Sequence, residues 1–208
     1  MSVLINASTS TGLVQSADTS GEIELQSNGT TALKVNTNEG IQILNCLGVG
    51  NATPSTSGAG ITFPATQSAS SNANTLDDYE EGSWSPTWLG STTNPTVTYD
   101  VNRMGRYTKI GNVVYVSARV GISTIAGGSG NANIGGLPFT VAGDEAYPAF
   151  PLGYKTNFNT NGPDWARFFS NSNYAAVFYD ANTNESSLTI SNLQNGVDCL
   201  FTGFYYTS

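Results

Sequence analysis

The chain has 208 residues, a formal net charge of −8 and a polar composition, with 23 Ser, 25 Thr, 22 Asn and 23 Gly. Only 11% of the residues are charged, and the frequent Thr, Tyr, Phe and Val favour strands, so the composition predicts an all-β chain with many turns. The acidic balance argues against a nucleic-acid partner, which requires a basic surface. No apolar run reaches the roughly 20 residues of a membrane span, so membrane insertion is not expected.

The residue types that are missing or rare narrow the chemistry further. The chain has no histidine, which excludes Ser-His-Asp and Cys-His catalysis and zinc sites that contain histidine. Cys46 and Cys199 lie far apart and are expected to remain small buried thiols. The first residues, MSVLINASTS, lack the basic and apolar segments of a secretory signal, so assembly in a cytoplasm is expected.

Residues 1–64 contain one aromatic side chain, whereas residues 75–208 contain all the others. Three apolar pairs alternate with polar residues as strands do: Ile23 and Leu25, Leu33 and Val35, Ile41 and Ile43. Turn dipeptides separate the pairs at Asn28-Gly29 and at Glu39-Gly40. Because three short strands with one apolar stripe are marginal alone, this region is interpreted as an oligomeric β-structured base or anchor.

The segment that follows has almost nothing to bury. Residues 65–74 read ATQSASSNAN, a composition typical of a linker. The sequence therefore predicts an N-terminal assembly region at 1–64, a linker at 65–75 and a C-terminal domain at 76–208.

Four carboxylates stand within five residues at the start of that domain: Asp77, Asp78, Glu80 and Glu81. Paired carboxylates are the catalytic groups of glycosidases, and oxygen ligands suit Ca²⁺, although no EF-hand spacing is present. The third interpretation is a solvated or structurally paired charge run, with Arg103, Arg106 or Lys109 as partners. This third interpretation is favoured, and no catalytic or metal-binding residue is predicted.

Trp84 and Trp88 flank Pro86, a spacing that indicates an extended segment. Two interpretations apply to the indoles. They are either exposed platforms for sugars or, as we favour, anchors that fix this strand onto the sheet.

A hairpin is predicted over 105–110 and 113–120, closed by the dipeptide Gly111-Asn112. The turn pairs Ile110 with Val113 and Tyr107 with Val116. Five side chains then share the core face: Tyr107, Val114, Val116, Ala118 and Val120.

One part of the chain resembles a module of virion proteins of tailed bacteriophages. It consists of LDDYEEGSWSP, a polar spacer and then GRYTKIGNVVYV. The resemblance is carried by two groups of residues, namely Leu76, Asp77, Tyr79, Glu80, Glu81, Gly82, Trp84 and Pro86, then Gly105, Arg106, Tyr107, Lys109, Ile110, Gly111, Val114, Tyr115 and Val116. It covers about 45 residues. The resemblance implies a location on the virion and, as in phage fibres, a homotrimer.

Further strands are predicted near 137–141, 175–179, 187–191 and 199–206, which together favour an antiparallel β-sandwich of jelly-roll type. The run AGGSGNANIGG at 126–136 lacks the lysine of a phosphate-binding loop and is interpreted as a mobile surface loop.

The segment 157–174, NFNTNGPDWARFFSNSNY, combines aromatic rings with Asn and Ser, as versatile contact surfaces do. The candidate ligand-binding residues are Trp165, Arg167 and Tyr174. The alternative is that these aromatic side chains belong to the core.

The missing catalytic residues predict a non-enzymatic protein without a cofactor. The resemblance implies a virion protein assembled in the host cytoplasm, a short trimeric tail fibre used in host attachment. Its expected partners are two further copies, other phage tail or capsid proteins, and a host cell-surface polysaccharide or protein. A capsid head fibre or decoration protein is the alternative. A polysaccharide-degrading tailspike is disfavoured because no long repetitive β-helix and no catalytic constellation is visible.

Overall fold

The structure is a computed structural model and describes residues 22–35, 41–66, 70, 72, 74–143, 148–159, 162–181 and 184–207. The regular structure of these residues consists of β-strands and one short 3-10 helix, so the all-β prediction is confirmed. No helix in the described residues is long and apolar enough to cross a membrane. The chain divides into two compact units, Met1–Gln67 (unit 1) and Ser68–Ser208 (unit 2), and the division falls inside the segment interpreted as a linker.

Unit 1 contains a three-stranded antiparallel sheet formed by β1 (Ile23–Ser27), β2 (Thr30–Val35) and β3 (Ile41–Ile43). The three strands carry the three apolar pairs of the sequence, which confirms that prediction. Asn28 and Gly29 both have positive φ, 50° and 74°, as a type I′ hairpin turn requires. The turn expected at Glu39-Gly40 lies outside the described residues, as does part of the expected linker.

A second, smaller sheet in unit 1 pairs β4 (Cys46–Gly48) with β5 (Gly60–Thr62) in parallel. No described residue of unit 1 is buried. The six apolar side chains of β1–β3 lie on one face, because the pairing sets Ile23 opposite Val35, Leu25 opposite Leu33, and Leu33 opposite Ile43.

Unit 2 is built on one eleven-stranded antiparallel sheet. Its strands are β6 (Tyr79–Trp84), β7 (Thr87–Gly90), β8 (Thr96–Tyr99), β9 (Met104–Ile110), β10 (Val113–Ala126), β11 (Ala132–Gly135), β12 (Ala149–Thr156), β13 (Trp165–Phe168), β14 (Tyr174–Ala181), β15 (Asn184–Ser187) and β16 (Asp198–Tyr206). A 3-10 helix, Ile190–Asn192, precedes the last strand.

The sheet follows the order β6-β9-β10-β16-β12-β13-β14-β11-β7, with β8 paired to β10 and β15 to β14, and it curls into a half-barrel. The curled sheet has two layers, β6-β9-β10-β16-β12 and β12-β13-β14-β11-β7. Strand β12 belongs to both, since it pairs with β16 on one side and with β13 on the other. The aromatic core lies between the layers: the Phe168 ring from β13 is 4.7 Å from the Tyr205 ring of β16 and 4.7 Å from that of Phe150. The predicted antiparallel sandwich is confirmed at this level.

The predicted hairpin is formed by β9 and β10 with the expected register, Ile110 opposite Val113 and Tyr107 opposite Val116. Gly111 has a φ of 56° in the turn. Of the five side chains assigned to the core face, the four on β10 are buried and Tyr107 packs against the core.

Several strand assignments were wrong. Residues 137–141 form no strand, and Val141 makes one isolated bridge to Thr207. The strand lies just before them, in the glycine run interpreted as a surface loop, because Ala132 and Ile134 are fully buried and β11 runs between β7 and β14. The strand expected at 187–191 ends at Ser187 and is followed by the 3-10 helix.

Candidate functional site

Two of the three predicted ligand-binding residues, Trp165 and Arg167, lie on strand β13. Trp165 and Arg167 alternate with Ala166 and Phe168, both fully buried, so they point away from the core. Tyr174 begins β14, the neighbouring strand, in which Ala175 is also fully buried. The pairing of β13 with β14 therefore places all three side chains on the outer face of this layer.

Rings and a guanidinium group form a continuous row on this outer face. The Trp165 ring stacks on that of Phe178 at 4.5 Å with an interplanar angle of 16°. The Arg167 guanidinium lies 4.9 Å from the Phe178 centroid and 5.7 Å from that of Phe169, which in turn stacks with Tyr174 at 5.7 Å. Cation–π attraction and stacking hold the row in a fixed order.

The row forms one wall of a groove with a volume of about 260 Å³. Arg167 and Tyr174 line the groove, whereas Trp165 lies beside it, on the far side of Phe178. The polar lining residues are Ser91, Asn131, Asn133 and Ser187. Amides and hydroxyls next to aromatic faces are groups that hydrogen-bond and stack on a sugar ring, and the volume is close to the lower limit for small-ligand sites.

The polar lining residues of the groove were missed by the sequence analysis. Asn131 and Asn133 stand in the glycine run, whose interpretation as a loop concealed them. The signal was present, since Asn131 and Asn133 alternate with Ala132 and Ile134 as a half-buried strand requires.

The four clustered carboxylates each have a partner. Asp78 is buried and forms an ion pair with Lys109, whose side chain is only 2% exposed and whose ammonium lies 5.6 Å from the Phe139 ring. Asp77 accepts a hydrogen bond from the Ser70 amide, and Glu81 accepts one from the Tyr79 hydroxyl. The described residues contain no group of three or more His, Cys, Asp or Glu side chains placed to hold a metal ion.

Glu80 accepts a 2.5 Å hydrogen bond from the Tyr107 hydroxyl. This bond, helped by partial burial, raises the pKa of Tyr107 to about 12. Two of the four contacts, Asp78 with Lys109 and Glu80 with Tyr107, join the start of β6 to β9, and the cluster is structurally paired as the favoured interpretation predicts.

Both tryptophans of the SWSPTW segment are buried, Trp84 at 8% and Trp88 at 2% exposure, so neither offers a sugar platform. The Trp84 indole covers Gly105 of β9, at a position where a Cβ atom would clash with it. Trp88 meets the ring of Phe158 edge-on at 6.4 Å, and its backbone amide donates to the Tyr99 hydroxyl at 2.8 Å. The interpretation of the indoles as anchors is confirmed.

The two cysteines are free thiols in different units, Cys46 half-buried in unit 1 and Cys199 buried in unit 2. Burial raises the pKa of the Cys199 thiol, with a smaller contribution from the neighbouring Asp198 carboxylate, so this thiol is unreactive.

No protein-family model matches the chain, and a search of curated proteins finds no match. Among solved structures, the crystal structure of the Dettilon tailspike protein matches 62% of this chain with a TM-score of 0.53 and 20% sequence identity. The matched part is 24% of the tailspike chain. The likeness shows a shared fold over that part.

Proposed function

We propose that the protein is a non-enzymatic surface component of a bacteriophage virion, a short trimeric tail fibre that contacts the host cell. The observation that carries the proposal is the fold that 62% of the chain shares with a phage tailspike protein. The motif that resembles phage virion modules supports it from the sequence side. Its two halves form β6 and the β9–β10 hairpin and pair with each other from Tyr79 opposite Ile110 to Trp84 opposite Gly105.

Unit 1 supplies the argument for association of several copies. Its apolar stripe is open to solvent, with Ile41 71% and Leu25 52% exposed. A sheet with one open apolar face is stabilised when other chains cover that face, since each buried aliphatic side chain contributes roughly 1.5–3 kcal/mol. Three copies around an axis bury three such stripes together.

The groove beside Arg167 and Tyr174 is the proposed contact site for a host cell-surface polysaccharide. One groove of about 260 Å³ holds about one sugar ring, so a single contact is weak. Three grooves on one trimer bind a repetitive polysaccharide at several points, and this multivalency raises the overall affinity.

The proposal is tested with full-length protein that competes with phage for adsorption to host cells. Arg167→Ala and Tyr174→Ala are expected to weaken competition by roughly tenfold or more, because an aromatic ring and an arginine are typical energetic centres of contact sites. Val101→Ala is the matched control, since Val101 is fully exposed and lies outside the groove. Thermal melting verifies that each variant is folded.

Three outcomes of related measurements contradict parts of the proposal. Competition that is unchanged in folded Arg167→Ala and Tyr174→Ala refutes the groove as the contact site. Gold-labelled antibodies that decorate the head of intact virions assign the protein to a head fibre or capsid decoration, the alternative role. Release of reducing sugar from host polysaccharide refutes the non-enzymatic assignment.

A further inference from the structure

The outer face of the layer β6-β9-β10-β16-β12 carries apolar side chains that no residue described by the structure covers. The strand pairings arrange this face in four cross-strand rows. The first row is Tyr79, Ile110, Val113 and Tyr206. The second is Glu81, Thr108, Tyr115 and Phe204. The third is Ser83, Arg106, Ser117 and Thr202. The fourth is Met104, Arg119, Leu200 and Tyr154.

Five side chains of the first two rows form the aromatic patch: Tyr79, Ile110, Tyr115, Phe204 and Tyr206. Their exposed fractions range from 36% for Tyr206 to 52% for Tyr115. Since an aromatic side chain presents roughly 150–250 Å², the patch leaves on the order of 300–400 Å² of apolar surface open. This already falls in the range of the largest patches on monomeric proteins, about 300–600 Å², which are often functional.

The fourth row extends the apolar surface to the other end of the face. Met104 is 49%, Tyr154 is 50% and Leu200 is 39% exposed, and a cavity of about 640 Å³ lies among these side chains. With this row included, the open apolar surface approaches the roughly 800 Å² that each partner buries in a standard protein interface.

The composition of the four rows resembles the core of a protein interface. Such cores are enriched in aromatic residues, methionine and arginine and depleted in lysine and carboxylates. The rows hold five aromatic residues, Met104 and two arginines, no lysine and one carboxylate, Glu81. Arg119 is itself neutralised by Asp198, which accepts its hydrogen bonds at 2.5–3.1 Å.

The geometry of the rings argues against a flat polysaccharide as the occupant. Tyr115 and Phe204 are inclined by 44°, and Phe204 and Tyr206 by 89°. Rings inclined in this way form no single flat platform on which successive sugar rings stack. Tilted rings and the aliphatic Ile110 instead project between the side chains of another protein. The face also carries both charges, Glu81 and Arg106, and thus offers a partner for a group of either sign on a second copy.

We propose that this outer face packs against a second copy of the chain, so that unit 2 contributes its own subunit interface in addition to the stripe of unit 1. The inference rests on the proposed trimer for the number of copies. The location of the interface follows from the exposed apolar side chains of the face itself. It predicts that association survives loss of the unit 1 stripe.

The test measures the mass of full-length protein by sedimentation equilibrium over a range of concentrations. The parent protein carries Leu25→Glu and Ile41→Glu, which remove the contribution of the unit 1 stripe. Adding Tyr115→Glu and Phe204→Glu is expected to raise the dissociation concentration by about tenfold or more, since charge is placed in an apolar contact. Adding Val101→Glu is the matched control and is expected to change nothing, because Val101 is fully exposed and belongs to none of the four rows.

The outcomes separate this inference from the proposed function. A wild-type chain that is monomeric at all concentrations overturns both the trimer and the interface. An oligomeric parent whose dissociation is equally affected by the Tyr115/Phe204 change and by Val101→Glu overturns the interface alone. If Tyr115→Glu and Phe204→Glu leave the mass unchanged but abolish adsorption to host cells, the interface is also overturned and the face is assigned to a host ligand. Thermal melting confirms that each variant retains the fold of unit 2, as expected for substitutions at side chains that are about half exposed.

Discussion

Units 1 and 2 are both built from strands of alternating polar and apolar residues joined by tight turns, but only in unit 2 are the apolar side chains buried. In unit 2 the inward residues of two sheet layers meet, and side chains such as Trp88, Phe168 and Val120 are almost fully enclosed. In unit 1 no described residue is buried, and Leu25 and Ile41 face solvent. Strand pattern alone therefore specifies a sheet, whereas a second layer is required for a self-sufficient domain.

The largest expected effect comes from separating the units. Residues 68–208 expressed alone are expected to unfold cooperatively, because the core lies within unit 2. Residues 1–67 alone are expected to show no cooperative transition at micromolar concentration, because the stripe has nothing to pack against. Circular dichroism melts combined with sedimentation velocity provide the measurement. A sigmoidal melt from a monomeric 1–67 fragment contradicts the comparison.

The next largest effect is expected at the buried ion pair between Asp78, which immediately precedes β6, and Lys109 of β9. Lys109→Met removes the ammonium and leaves the Asp78 carboxylate buried without its counter-charge, which is expected to cost roughly 3–5 kcal/mol of unfolding free energy. Lys155→Met is the matched control, because the Lys155–Asp164 pair is 37% and 39% exposed and such pairs contribute about 0–1 kcal/mol. Urea unfolding measures both values.

A double variant, Asp78→Leu with Lys109→Met, is expected to recover much of the lost stability, since no unpaired charge remains. Equal destabilisation by Lys109→Met and Lys155→Met refutes the burial argument. Unit 1 offers the exposed counterpart, because Lys34 pairs with Glu22 while 25% exposed, and its removal is expected to have a small effect.

The fold of unit 2 was predictable from the sequence where turn chemistry and alternation agree. Gly111-Asn112 and the Val-rich strand after it fixed the register of β9 and β10. In unit 1 the Asn28-Gly29 turn was predictable, but a bulge between Leu25 and Gln26 then shifts the register of β1 and β2. Composition concealed strand β11, because Ala132 and Gly135 are small residues in a glycine-rich run. The alternation of polar and apolar residues over 131–134 was the one sequence signal for it, and its burial depends on β7 and β14 on either side.

The candidate site was predictable in part. Arg167 and Tyr174 come from one segment and line one groove, but the polar residues of its other walls come from distant parts of the chain that strand pairing brings together. Lys109 shows two sequence signals in conflict. Alternation along β9 puts its side chain on the core side with Tyr107, whereas a lysine is normally expected in solvent. Its burial follows from Asp78, which lies 31 positions earlier in the chain.

A smaller effect is expected from filling the space beneath the Trp84 indole. In Gly105→Ala the new Cβ atom meets the indole, which is buried and has no room to move, so we expect a loss of roughly 1–3 kcal/mol. Gly153 in unit 2 and Gly60 in unit 1 are the controls, because a Cβ atom at either position has no neighbour within 4 Å. Alanine at these two sites is expected to be neutral or stabilising by about 0.4–1 kcal/mol, through the unfolded chain. Equal stability of all three variants contradicts the close packing of unit 2.

The smallest effect is a pH dependence at the Tyr107–Glu80 hydrogen bond. The pKa of Tyr107 is raised to about 12, chiefly by donation to Glu80, whereas an unfolded tyrosine ionises near pH 10. The folded chain therefore keeps a proton that the unfolded chain loses, so the stability that this bond supplies is complete below about pH 10 and is lost as pH rises towards 12. In Tyr107→Phe the free energy of unfolding is expected to fall less steeply over that window than in the wild type. The comparison of the two slopes removes the contributions of the other tyrosines, and identical slopes contradict the assignment.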